Sequence, residues 1–201
     1  ANELADVYKR LLSLDKYRNN TALLQRAAAL FKINKQVGTT ALRVQLLRAR
    51  YMASEQLLEN YRLRYVKKSE AVAEVKQLKE IAKDLVIIRK SLLAKLKRSS
   101  ERTDLYDLIG MTTSLLAWSN YYIAWFDNQN IEAAHEAEQY FAFMIQAEQP
   151  TLAQISFDLK SKEYGARAIL GIALCKEILF GSGASERFFE RLQEEDTFDV
   201  I

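Results

Sequence analysis

The chain is predicted to be all-α, a series of successive antiparallel helical hairpins with one long hairpin at its centre. Three observations predict it. Between Thr39 and Ile109, 71 residues pass without a glycine or a proline, the two residues that break helices most strongly. Six Gly and one Pro in 201 residues are too few for the many tight turns of a sandwich or barrel of short strands. Apolar residues recur at mainly three-, four- and seven-residue spacing through the long runs, which is the periodicity of a helix face.

Each element follows from local signals. A first helix is predicted over 2–14, with Leu4, Val7, Tyr8, Leu11 and Leu12 on one face. Asn19, Asn20 and Thr21 stop it and cap a second helix over about 21–35 that carries Leu24, Ala27, Ala28 and Phe31. Gly38 ends that pair, and Thr39 and Thr40 cap the next. A third helix runs from about Thr40 to Val66, its seam formed by Leu47, Tyr51, Leu58, Tyr61 and Tyr65. Lys67-Lys68-Ser69-Glu70 is the break before a fourth helix, capped by Ser69 and ending near Lys97. Val75, Leu78, Ala82, Leu85, Leu92 and Leu96 give that helix heptad-like spacing, interrupted by Arg89. If the chain turns at 67–70, the pair is a hairpin about 40 Å long; if it continues, 39–98 is one helix.

Ser99, Ser100 and Thr103 mark the next boundary. The fifth helix, 103–126, is apolar nearly all round in its second half and is predicted to be central. Asn130 caps a sixth helix over 131–146, and Pro150 and Thr151 open a short seventh segment. An eighth helix over about 162–180 ends at Gly181-Ser182-Gly183, where glycine can take the left-handed conformation. A last helix is predicted over 184–194. The organisation is a single domain, 1–201, with sub-units 1–38 (helix pair), 39–102 (long basic hairpin) and 103–201 (acidic hairpins).

Charge divides the chain more sharply than its net of +3 suggests. Residues 39–102 hold 16 Lys+Arg against 7 Asp+Glu, whereas 103–201 hold 6 against 16. One cysteine, Cys175, permits no internal disulfide, which fits a reducing compartment or an exported protein that needs no staple. A soluble protein is expected, cytoplasmic or exported after signal cleavage, because no run of apolar residues is long enough to span a bilayer. Ala1 opens directly into amphipathic sequence, as a mature chain or a piece of a longer one would, and the apolar end at Val200-Ile201 also reads as a truncation.

Two stretches resemble tetratricopeptide repeats. In the first, Leu4, Val7, Tyr8, Leu11, Tyr17, Leu24 and Ala27 fall at that family's packing offsets, although Tyr8 and Asn20 stand where it prefers Gly or Ala. In the second, Trp118-Ser119-Asn120-Tyr121-Tyr122-Ile123-Ala124-Trp125 is similar to the aromatic first helix of a repeat. Ala137 and Phe141 match the spacing of its second helix, and Pro150 falls near its closing proline. The turn between them is out of register by about three residues, and the two long central helices exceed a repeat of about 34 residues. The resemblance covers roughly a third of the chain. It implies a scaffold that binds another protein in a groove, not an enzyme.

Candidate chemistry is sparse. Glu132-Ala133-Ala134-His135 has the Glu-x-x-His spacing of di-iron bundles, but His135 is the only histidine and such a site needs two copies. Cys175 has neighbours Lys176 and Glu177 that point away from it on a helix, so an inert thiol is expected. Gly181-Ser182-Gly183-Ala184-Ser185 could present amides to an anion, yet lacks the Lys-Ser/Thr of a phosphate loop. No catalytic, cofactor-binding or metal-binding residue is assigned, and no cofactor is implied.

Two partner classes are carried forward. The first is protein, with self-association through opposite charge as one form: Glu186, Glu190, Glu194, Glu195, Asp196 and Asp199 could face a basic hairpin. The alternative is nucleic acid. Tyr61-Arg62-Leu63-Arg64-Tyr65 with Lys67 and Lys68 mixes basic and aromatic residues as single-strand binders do. Arg43, Arg50, Lys68, Lys76, Lys79, Lys83, Lys90 and Lys97 give a long positive surface, interrupted by Glu55, Glu59, Glu74, Glu80 and Asp84.

Overall fold

Most of the run that lacks glycine and proline folds into two long helices that pack on each other across a turn. The structure, a computed structural model, describes residues 2–13, 22–23, 25–27, 29, 40–98, 103–127, 130–145 and 163–190. Among these the regular elements are helical: α1 (Asn2–Ser13), α2 (Thr40–Arg62), α3 (Lys68–Leu96), α4 (Thr103–Phe126), α5 (Ile131–Met144) and α6 (Glu163–Phe180). Residues 184–190 are also helical. Most of the predicted second helix, the Gly38 and Ser99-Ser100 boundaries, the segment opened by Pro150 and the acidic residues 194–199 lie outside the described residues. The chain forms two compact units, Ala1–Leu115 and Leu116–Ile201.

In the first unit α1 packs on α2. Ala27, Leu42 and Ala49 make a small core against which Tyr8, Leu23 and Leu46 pack. Of the face predicted for α1, Leu4 and Val7 are exposed, while Tyr8 and Leu11 are half-buried.

The α2–α3 pair is built on the predicted seam. Leu47, Tyr51 and Leu58 of α2 are buried, as are Val75, Leu78, Ala82, Leu85 and Leu92 of α3, each large side chain stabilising the pair by about 1.5–3 kcal/mol. Ser54, fully buried, donates from Oγ to Glu74 Oε2 at 2.6 Å and accepts from Gln77 Nε2 at 3.0 Å. Arg89, the interruption of the seam, is accounted for: its Nε donates to Thr113 Oγ1 of α4 at 3.0 Å.

Two features of the turn depart from the sequence reading. The third predicted helix stops at Arg62, four residues short of Val66. There the Tyr65 N–H donates to the Asn60 carbonyl at 2.8 Å and the Arg64 N–H to that of Tyr61 at 2.9 Å, the paired bonds of a Schellman cap. Arg64 holds the left-handed position, φ 64°, where glycine is usual. Tyr61 is half-buried, but Tyr65 leaves the seam and is 76% exposed. Ser69 is not the N-cap of α3; Lys67 is. The Glu70 carboxylate accepts from the Lys67 N–H at 2.9 Å, which satisfies an amide left over at the helix start and starts the helix before Ser69.

In the second unit α5 packs on α6. Asn130 caps α5, its side chain accepting from the Ala133 N–H at 3.1 Å. The buried Phe141 explains Gly171: a Cβ there would run into the Phe141 ring, closer than any side chain permits. Trp118 stacks edge-on to Phe141 with centroids 5.0 Å apart, and Tyr121 and Tyr122 join the cluster. Gly181 and Gly183 both have φ +84°, as the predicted cap requires.

Candidate functional site

Each sequence motif that suggested chemistry meets a plain fate. His135 and Glu132 are exposed on α5, and no group of three or more His, Cys, Asp or Glu among the described residues is placed to hold a metal ion. Cys175 is fully buried. Burial, with the nearby Glu138 carboxylate adding to it, pushes its thiol well above the ordinary range, so it stays protonated and unreactive.

The glycine turn does present amides to an anion, and the anion belongs to the chain. Glu177, near the end of α6, accepts from the Gly183 N–H at 3.3 Å, the Ser185 N–H at 3.1 Å and the Ser185 hydroxyl at 2.7 Å. These bonds, the Ser185 hydroxyl first, hold its carboxyl below the usual carboxylate value. No signal within the turn itself points to Glu177, because the acid lies one helical turn upstream.

What remains is the surface of the α2–α3 pair. At its tip, Leu63 is 61% exposed beside the exposed Arg62, Arg64, Lys67 and Lys68. With Tyr65, this places two large apolar side chains among four cations on a turn whose backbone is fixed by the Schellman bonds and the Glu70 cap.

Along α3, Lys68, Lys76, Lys79, Lys83, Lys90 and Lys97 are all exposed. At 3.6 residues per turn they fall within a sector about 80° wide and a length of about 44 Å. Lys76, Lys83, Lys90 and Lys97 repeat every seventh residue. Four of the five acids that interrupt this surface in sequence have a partner, and three of those partners lie on α2. Glu55 accepts from the Tyr51 hydroxyl at 2.7 Å, Glu74 from Ser54, and Glu59 lies 4.0 Å from Arg62. Glu80 pairs with Lys83 at 2.9 Å, and that hydrogen bond lowers the Glu80 pKa. Lys68, Lys79 and Lys90 are in no ion pair among the described residues.

The second unit offers a different surface. α5 carries Glu132, Glu136 and Glu138 and no Lys or Arg. Glu138 pairs with Lys176 of α6 at 3.0 Å, and that ammonium also lies 5.8 Å from the Phe180 ring centre and 5.6 Å from that of Phe188. Among the described residues no helix is long and apolar enough to cross a membrane. Comparison with protein-family models, curated proteins and solved structures finds no match.

Proposed function

We propose that this chain is a non-catalytic helical scaffold of the tetratricopeptide-like hairpin kind that binds another protein through the α2–α3 pair. The observation that carries the reading is the tip: Leu63 and Tyr65 stand exposed on a backbone already fixed by its own bonds. Tyrosine and arginine are the residues that most often dominate binding energy, and a pre-ordered turn loses little entropy on docking. The four cations around them steer an acidic partner and set its orientation.

The test is capture of partners from a nuclease-treated lysate by the full chain and by its Leu63→Ser/Tyr65→Ser variant. Both side chains are exposed, so the variant keeps its fold. The reading requires a protein partner that survives nuclease and is recovered at least about tenfold less well by the variant, a loss of about 1.4 kcal/mol. Recovery only of nuclease-sensitive material would contradict it and favour nucleic acid on the same hairpin.

A further inference from the structure

We propose that the lysine row of α3 docks a helix of an acidic protein, lying lengthwise with carboxylates at seven-residue intervals. The inference rests on the protein-binding reading and names the chemistry of the partner.

Spacing is the first argument. Lys76, Lys83, Lys90 and Lys97 are each seven residues apart, about 10.5 Å along the axis. The Debye length is about 8 Å at physiological salt, so these four lysines act as separate charges along the axis, with Lys79 between Lys76 and Lys83 as a closer neighbour. A partner gains from them only if its own charges keep the same interval. A second α-helix with acids at every seventh position has that interval by construction. A straight helix drifts about 20° per seven residues, so the row winds slowly round α3 and a partner following it takes the left-handed path of helix pairs.

Charge density is the second. Duplex nucleic acid presents one phosphate per about 1.7 Å of axis, and six lysines over about 44 Å would leave most phosphates unmet.

The third argument is apolar. Val72 is 50% exposed within the sector and Ile87 is 64% exposed at its edge. They give a protein helix two contacts of the kind that fix register, and phosphate has no use for them.

The experiment titrates the full chain with three probes at two salt concentrations. The first is a helical peptide with Glu at every seventh position and Leu placed to meet Val72 and Ile87. The second is a peptide of the same composition in shuffled order, and the third is a single-stranded DNA of matching length. Two variants carry equal charge changes: Lys76→Glu/Lys83→Glu/Lys90→Glu in the row, and Arg43→Glu/Arg50→Glu/Lys95→Glu outside it, all at exposed positions. Far-ultraviolet circular dichroism checks that each remains helical.

The proposal predicts that the regular peptide binds at least about tenfold tighter than the shuffled one. The row variant should weaken it by about 30-fold and the control by about threefold or less. Equal losses in both variants, or no preference for the regular peptide, would overturn the proposal by showing only net charge at work. Tighter binding of the DNA with a steep salt dependence would overturn it in favour of nucleic acid. A lysate partner that depends on Leu63 and Tyr65 but ignores the row would refute this inference while leaving the protein-binding reading intact.

Discussion

The two units hold themselves together by different means. In the first, aliphatic seams are pinned by polar bonds between helices: Ser54 to Glu74 and Gln77, Arg89 to Thr113. In the second, rings and a missing Cβ do the work, with Trp118, Tyr121, Tyr122 and Phe141 clustered and Phe141 seated over Gly171. On α2 and α3, five of the six acids serve a cap, a hydroxyl or a short-range pair, while Lys68, Lys76, Lys79, Lys90 and Lys97 stand exposed. The comparison teaches that an excess of cations on α2 and α3 becomes an exposed cationic row once most carboxylates of these two helices are turned to structural tasks.

The largest test of this contrast falls on the second unit. Phe141→Ala should destabilise it by about 3–5 kcal/mol, because a fully buried ring and its contact with Trp118 are lost together. Denaturant unfolding followed by tryptophan fluorescence reads this directly, since Trp118 and Trp125, the only tryptophans, are both in that unit. Gly171→Ala should cost about 1–3 kcal/mol by forcing the ring aside, against a helix-propensity gain of up to about 1 kcal/mol.

The polar pins of the first unit should be worth less. Ser54→Ala strands the Glu74 carboxylate and the Gln77 amide, and a loss of about 1–2 kcal/mol is expected, visible as faster hydrogen exchange across α2 and α3 with tryptophan unfolding unchanged. Arg64→Gly should do the opposite, stabilising the hairpin by about 0.5–1 kcal/mol because glycine takes a positive φ without strain.

The smallest effect is one of pH. Glu177 has its carboxyl held below the ordinary carboxylate pKa, first by the Ser185 hydroxyl. Its contribution is therefore complete above the unfolded value of about 4.3 and is lost as the pH falls through the lower folded one. Protection of the Gly183 and Ser185 amides should fall on acidification in the native chain and be weaker at every pH in Ser185→Ala.

Much of this architecture can be read from residue order. The glycine-free run announced α2 and α3, Asn130 announced the start of α5, and the paired glycines at 181 and 183 announced the end of α6. The hairpin tip was harder, because its reversal uses Arg64 at a position where glycine is the usual signal, and because a carboxylate three residues away decides where α3 begins. Tyr65 fitted the seven-residue seam by spacing alone, yet the Schellman bonds release it to solvent. The role of Arg89 depends on Thr113, 24 residues further on, and no local pattern joins them. The lysine repeat was present in the sequence throughout. Its extent was hidden because Glu55, Glu59 and Glu74, which interrupt the list of cations, turn to partners on α2.

The central claim, that the α2–α3 pair is the protein-binding surface, is tested most directly by zero-length cross-linking of lysines to carboxylates. The full chain would be cross-linked to its captured partner after nuclease treatment and mapped by mass spectrometry. The account predicts cross-links from Lys67 and Lys68 at the tip and from Lys76, Lys83 and Lys90 along the row to acids of the partner, spaced regularly in its sequence. Cross-links confined to Lys176 and the other cations of the second unit would contradict it.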